Sequence, residues 1–266
     1  MIDYLIIDDC PGSGITGKIV RLIRFLSDKI KNIDDVSNIY IESKILPTMN
    51  IIFEPCNKEP DISLIFRQNI TNKKKKSKNK NKQKNLLKNS DFDKLSKITK
   101  LIRFNMSIFK QYLKDVKKNK IFDLGIHIRL TDMNKVHKRN YGVINYEDYT
   151  KEILNVLKLN KFNNIFLASD NFESITLTTN LLKDNGFSNE NIFYNNNKLL
   201  SDSQDNENFT EEQIQNFKNK NSFIEVLNDV FYLSISKKLI YRTSNVSNLA
   251  ILLSTTLGKN NIKLIN

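Results

Sequence analysis

The chain reads as an α/β protein, with a Rossmann-type parallel sheet in its C-terminal half and a reduced α/β half before it. Three observations predict this. From residue 121 onward, short apolar runs alternate with stretches of helical periodicity. The chain also opens on a strand, a glycine-rich turn and an amphipathic helix. Finally, 39% of its 266 residues are hydrophobic, enough for a packed core and too many for wholesale disorder.

In order along the chain, Tyr4 to Ile7 is an apolar run suited to a buried strand. The turn Cys10 to Gly17 follows, then Ile19, Val20, Leu22, Ile23, Leu26 and Ile30 at helical spacing. Asn38 to Ile41 is a second strand candidate, and Ile51 to Phe53 is either a third or the rim of a loop. Residues 91–118 carry apolar side chains at the period of a long amphipathic helix. Ile121 to Leu130 is a buried strand, and Tyr146 to Leu159 a helix with Asn145 as N-cap. Asn164 to Ala168 is a strand that runs into Ser169-Asp170-Asn171. Phe172 to Asp184 is a helix closed by Asn185-Gly186. Ile192 to Tyr194 is a strand, and residues 195–220 are loop-like. Phe223 to Ser236 is a helix, Lys238 to Tyr241 a short strand, and Ser247 to Leu257 the last helix. The division expected is an N-terminal half at 1–118 and a C-terminal domain at 119–266.

Charge narrows the partners. The formal net charge is +13, yet residues 72–88 hold nine lysines and no acid, and without them the figure is +4. This Lys/Asn tract has no apolar period and is expected to be a disordered, solvated insertion. No aromatic side chain interleaves with its lysines, which argues against nucleic acid as a partner. Cys10 and Cys56 cannot build a disulfide scaffold and are expected to be reduced. No apolar run is long enough to span a bilayer, and the first residues lack a signal-peptide pattern. A soluble, cytoplasmic protein is the expectation.

In open parallel sheets ligands sit beyond the carboxyl ends of strands, so the polar residues there are the candidates. They are Gly12 to Gly17, His127 to Asp132, Ser169 to Asn171, and Arg242 to Ser247. Gly12 to Lys18 matches GxxxxGK, the start of a phosphate-cradling loop, but Ile19 stands where a magnesium-holding Ser or Thr belongs. The loop is therefore a tight strand-to-helix turn, a P-loop-like nucleotide site, or a set of amides, with Gly14 and Gly17, facing an acceptor or a sugar diphosphate. In His127-Ile128-Arg129-Leu130-Thr131-Asp132, strand alternation turns His127, Arg129 and Thr131 to one face. An arginine fork there suits a diphosphate, with Asp132 to orient it. The same pattern also fits a structural Arg–Asp pair at the sheet edge. Two histidines, His127 and His137, and no cluster with ligand spacing give no metal site.

These residues also resemble a family. The segment His127 to Asp132 is similar to the H-x-R-R-x-D motif of GDP-fucose-dependent fucosyltransferases. These are the core alpha-1,6 enzymes, the bacterial nodulation enzymes and, more distantly, the alpha-1,2 and protein O-fucosyltransferases. Ile165 to Asn171 resembles their second motif, a strand ending in Ala-Thr-Asp-Asp. Val226 to Ser234 followed by Ser244 to Ala250 resembles their third. The three occur in the family's order across residues 121–257. Gly14 to Gly17 and Phe53-Glu54-Pro55 are looser echoes. Two positions depart: Leu130 stands for the second arginine, and Asn171 for an acid.

The resemblance implies a GT-B-like fold and inverting, metal-independent transfer of fucose from GDP-fucose to a glycan or protein acceptor, with no cofactor. It implies that Arg129 stabilises the departing diphosphate, that His127 contacts the nucleotide, and that Asp170 or Asn171 reads the base or ribose. Ser244, Asn245, Val246 and Ser247 would donate to the diphosphate at a helix N-terminus. Asp229 would order the nearby turn. For the catalytic base, Asp8 and Asp9 are the acids at the end of the first strand, where they either take the acceptor proton or cap the turn. The other readings are a P-loop-like nucleotide-binding protein using Gly12 to Lys18, and a catalytically inactive glycosyltransferase fold that binds polyanions through the lysine tract.

Overall fold

The computed structural model describes residues 3–6, 39–42, 109–118, 121–130, 145–195, 220–254 and 262–264, with the helical positions Thr16, Gly17, Ile19, Val20, Ile23, Ser27, Leu95 and Thr99. The turn residues Gly12, Gly14 and Lys18, the acids Asp8, Asp9 and Asp132, His137, both cysteines, Ile51 to Phe53 and the lysine tract lie outside the described residues. The chain divides into two compact units, Met1–Ile108 and Phe109–Asn266. Residues 109–118, placed by the sequence in the N-terminal half, are in the second unit.

In the first unit, strands β1 (Asp3–Ile6) and β2 (Ile39–Glu42) pair in parallel, Asp3 opposite Ile39 and Ile6 opposite Glu42. Thr16, Ile19, Val20, Ile23 and Ser27 are helical and buried, the one-sided spacing of an amphipathic helix. Gly17 is itself helical and buried, so the helix begins before it and the turn is shorter than the sequence suggested.

The second unit is built on five parallel strands in the order β5-β4-β3-β6-β7. In chain order they and their helices are α1 (Lys110–Lys117), β3 (Phe122–Ile128), α2 (Tyr146–Leu159), β4 (Ile165–Ser169), α3 (Phe172–Asp184), β5 (Ile192–Tyr194), α4 (Lys220–Ser234), β6 (Ser236–Tyr241), α5 (Asn245–Leu253) and β7 (Ile262–Leu264). Parallel pairing buries both faces of the central strand, which is why β3 is apolar almost throughout. Leu124, Ile126 and Ile128 of β3 pack with Ile165, Leu167, Ile192 and Ile240 under Tyr149 and Ile153 of α2 and Ile175 and Leu182 of α3. Each side chain so buried contributes on the order of 1.5–3 kcal/mol.

An aromatic cluster joins the sheet to α4. Phe122, Phe166 and Tyr232 lie within 5.0–5.9 Å of one another, and Phe193 lies 5.3 Å from Phe122. Helix α1 joins this cluster through Phe109 and Tyr112, which pack on Phe231, and through Asp115, whose carboxylate accepts the Tyr232 hydroxyl at 2.8 Å. That packing explains why α1 goes with the second unit.

The helix termini follow local rules. Asp148 accepts the Asn145 amide at 2.8 Å at the start of α2. Gly186, at φ +90°, closes α3 in the left-handed conformation that glycine tolerates. Strand β6 begins at Ser236, two residues before the sequence suggested, because Ser236 pairs with Phe122 and is fully buried. Close by, Gly125 leaves no room for a side chain: a Cβ there would lie 2.7 Å from Ser236 Oγ and 3.1 Å from Leu239 Cδ1. Gly125→Ala is therefore expected to cost about 1–3 kcal/mol through overpacking, read as a lower melting temperature. An unchanged melting temperature would contradict this packing.

The strand order reverses at β3. The chain runs from β3 outward to β4 and β5, then returns to place β6 and β7 on the other side of β3. The crevice at the carboxyl end of β3, between β4 and β6, is thus the topological switch point where ligands bind in open α/β sheets. Among the described residues, no helix is long and apolar enough to cross a membrane.

Candidate active site at the carboxyl end of the central strand

Three strand ends meet at this crevice. The register pairs His127 of β3 with Ala168 of β4 and Tyr241 of β6. Two residues on, β3 delivers Arg129 and β4 delivers Asp170, and one residue past Tyr241 comes Arg242.

His127 is 3% exposed and its Nδ1 has no hydrogen-bond partner among the described residues. Burial, and secondarily the Arg129 charge, pull its pKa down to about 3. His127 is therefore a buried, neutral imidazole near the carboxyl end of β3, with a ring nitrogen able to take one hydrogen bond.

Arg129 is held from two directions. Its backbone amide donates to the Tyr149 hydroxyl at 3.2 Å. Its guanidinium Nε lies 3.2 Å from Asp170 Oδ2, an ion pair rather than an aligned hydrogen bond. The other Asp170 oxygen accepts the Leu130 amide at 3.4 Å. Asp170, with its side chain 7% exposed, therefore ties the end of β3 to the end of β4, while Arg129 keeps 22% exposure. The carboxylate facing Arg129 is Asp170. The next residue, Asn171, is an N-cap: its Oδ1 accepts the Ser174 amide at 3.0 Å and starts α3.

At the end of β6, Ser244 caps α5. Ser244 Oγ accepts the Ser247 amide at 3.1 Å, and Ser247 Oγ accepts the Ser244 amide at 3.0 Å. The Ser247 hydroxyl donates to the Arg242 carbonyl at 2.9 Å. The two serines thus build the turn, and Ser247 is fully buried. The amides of Asn245 and Val246, in the first turn, are among those a helix cannot satisfy by itself, and the helix dipole makes that end attractive to an anion. Asn248, 4% exposed, has an Oδ1 without a partner among the described residues.

Arg242 is 3% exposed. Burial draws its pKa down, and Tyr149 offsets part of that. Tyr149 in turn feels Arg242, Asp170 and Arg129, and its own pKa is raised by burial. One neutral phenol hydroxyl therefore stands within electrostatic reach of both guanidiniums.

Asp229 lies apart on α4, half-buried, where its carboxylate accepts the Asn195 side-chain amide at 2.5 Å at the end of β5. Burial lifts its pKa to about 7, against the Asn195 hydrogen bond and with a smaller contribution from Glu225. Between about pH 4 and 7 the folded chain holds this proton and the unfolded chain does not, so this group's contribution falls as pH rises and levels off above 7. Asp229→Asn is expected to raise the melting temperature relative to the parent increasingly from pH 5 to 7. A difference independent of pH would contradict the raised pKa.

The structure brings His127, Arg129, Asp170, Asn171 and Ser244 to Ser247 to the carboxyl side of one sheet. Gly17 is in the first unit, and Gly14 and Asp132 lie outside the described residues. Sequence reasoning did not single out Tyr149 or Asn248. The only available signal for Arg242 was its position just past an apolar strand. Among the described residues, no three His, Cys, Asp or Glu side chains gather as a metal site would require.

No family model and no curated protein matches the chain. Solved structures do match in fold. NodZ alpha-1,6-fucosyltransferase soaked with GDP-fucose is 12% identical, with a TM-score of 0.51 over 96% of this chain and 93% of that one. Fucosyltransferase NodZ from Bradyrhizobium is 12% identical, with a TM-score of 0.46 over 96% and 94%. POFUT1 in complex with GDP-fucose is 12% identical, with a TM-score of 0.42 over 65% of this chain. The chain spans about half the length of the POFUT1 chains, 49% in that complex. Its structural neighbours are thus fucosyltransferases, and its fold is the α/β GT-B fold of NodZ.

Proposed function

We propose that the chain is a glycosyltransferase that moves fucose from GDP-fucose to a glycan or protein acceptor. The observation that carries this reading is Arg129. Its backbone amide is held by the Tyr149 hydroxyl and its partly exposed guanidinium by Asp170, at the switch point of a sheet with the fold of NodZ. In this reaction the bond between fucose C1 and the diphosphate breaks as an acceptor hydroxyl oxygen bonds to C1 from the opposite face and gives up its proton to solvent. The product is inverted, and the electron pair leaves with GDP. Negative charge grows on the diphosphate, and C1 becomes oxocarbenium-like. A guanidinium already held in place stabilises that charge without the reorganisation that water would need. The amides of Asn245 and Val246 add donors at a helix N-terminus. His127 contacts the nucleotide as a neutral imidazole. No step requires a metal ion.

The test is GDP release and fucose transfer from GDP-fucose, in EDTA, across oligosaccharide and peptide acceptors. A fucosylated product of inverted anomeric configuration is expected. Absence of both GDP release and product with every acceptor would overturn the reading.

A further inference from the structure

We propose that the amino end of the second unit's sheet, opposite the crevice, rests on an anionic lipid bilayer. This does not depend on the donor reading above. Helices α1 and α2 both finish at this end, because β3 and β4 start there. Lys117 ends α1 and Lys118 caps it, within about 14 Å of Phe122, the first residue of β3. Lys158 lies in the last turn of α2, Lys161 in the link to β4, and Lys237 and Lys238 at the start of β6.

Contacts knit these positions into one surface. Lys237 Nζ lies 2.8 Å from Asp123 Oδ1 near the start of β3, and the other Asp123 oxygen accepts the Asn163 amide at 2.8 Å, just before β4. Lys238 donates to the Asn160 side chain at the end of α2 and lies 5.9 Å over the Phe162 ring. Asp123 is the acid set among these lysines.

A general lysine bias does not account for the cluster. Among the described side chains of the second unit, twelve Lys and Arg stand against eleven Asp and Glu, so the unit as a whole is close to neutral. At the β5 edge of the same end, Lys183 is matched by Asp184 and Glu190. Helix dipoles account for Lys117, Lys118 and Lys158, and not for Lys161, Lys237 and Lys238. The two helix ends bring about half a negative charge each, well short of cancelling six lysines against one acid.

The side chains between the charges select the partner. Leu159 is 82% exposed, and Val116 and Ile121 39% each. A nucleic acid would call for exposed rings on which bases stack, and the nearest ring, Phe162, is partly buried under Lys238. A bilayer interface takes both kinds of side chain: anionic headgroups hold the ammonium groups, and the acyl boundary takes the aliphatic ones. On such a surface the crevice faces away from the lipid, about 20 Å off at the far end of β3.

Co-sedimentation of the full chain with vesicles tests this, using phosphatidylcholine alone and an equal mixture of phosphatidylcholine and phosphatidylserine. The parent is expected to bind the mixed vesicles only, and less as salt rises. The triple variant Lys117→Gln, Lys158→Gln, Lys161→Gln is expected to bind on the order of a hundredfold more weakly, at about fivefold per lysine. Leu159→Ser is expected to lose about fivefold or more with every charge in place. Lys161→Gln alone, outside any helix, stands in wherever the triple variant fails to fold. No binding by the parent, or parental binding in the lysine variants, would overturn the proposal. So would binding lost only on deletion of residues 72–88, which would place it on the lysine tract. Equal losses for vesicles and for duplex DNA in the triple variant, with Leu159→Ser unchanged, would make the surface a general polyanion site and overturn the lipid assignment.

Discussion

Arg129→Ala is expected to lower fucose transfer by roughly 10²–10³, the usual cost of removing one donor aimed at developing negative charge. The loss should fall mainly on the turnover rate, because the charge on the diphosphate grows as the sugar leaves. The substitution has a second effect. It strips Asp170 of its cation, and that carboxylate is only 7% exposed. Removing one partner of a fully buried pair costs about 3–5 kcal/mol, and the 22% exposure of Arg129 places this pair below that range. The melting temperature should therefore fall as well. Arg129→Lys separates the two effects, since an ammonium still neutralises Asp170 but offers no fork. It should melt close to the parent and still transfer poorly. Full activity in both variants would remove Arg129 from the mechanism.

Asp170 carries the next largest effect, and it discriminates between two roles. The resemblance assigns the residue to the base or ribose, whereas the geometry gives its two oxygens to Arg129 Nε and the Leu130 amide. Asp170→Ala removes both contacts and frees the end of β3. Misplacing Arg129 by about an ångström would cost on the order of a hundredfold in rate. A positioning role weakens GDP, UDP and ADP binding in proportion, because only the diphosphate contact is disturbed. A base-reading role changes the preference among them instead. Asp170→Asn keeps an acceptor for Leu130 and should retain more stability than Asp170→Ala, read by thermal melting. A selective loss of GDP binding would return Asp170 to the nucleotide.

The parts of this fold legible in the sequence are those in which pattern and burial agree. Strand β3 is apolar because both its faces are covered, and two helix ends carry their signals beside them, Asn145 at the start of α2 and Gly186 at the end of α3. Where a strand is polar the pattern fails. Ser236-Lys237 does not look like the start of β6, and Ser236, paired with Phe122, is inside because the bare Gly125 leaves room for its hydroxyl. Strand β7 was missed because three residues carry no period, and its place is set by pairing with β6.

The site divides in the same way. Strand ends pointed to His127, Arg129 and Asp170 because chemistry collects there in any parallel sheet. What each residue touches is a matter of long-range pairing, which a linear pattern does not contain. Asp132 was the near acid offered to Arg129, and the acid found facing it is Asp170, delivered by the next strand. Tyr149 sits on a buried helix face where its ring satisfies the pattern, so nothing in the sequence shows that its hydroxyl reaches Arg129. Ser244 and Ser247 looked like ligand donors, and in the folded chain they build the capping turn first.

The reading stands or falls on a nucleotide-sugar site at the carboxyl end of β3. A thermal-shift titration with GDP, GDP-fucose, UDP-sugars and ATP, each in EDTA and in magnesium, tests it most directly. At about a hundred times the dissociation constant, a ligand confined to the native state adds about 2.7 kcal/mol. For a chain of this size that is a shift of several degrees, at roughly 2–4 °C per kcal/mol. Such a shift is expected with GDP and GDP-fucose in EDTA, reduced in Arg129→Lys. A shift seen only with ATP and magnesium would place the site at Gly12 to Lys18, and no shift with any nucleotide would leave a glycosyltransferase fold without a donor; either result would contradict it.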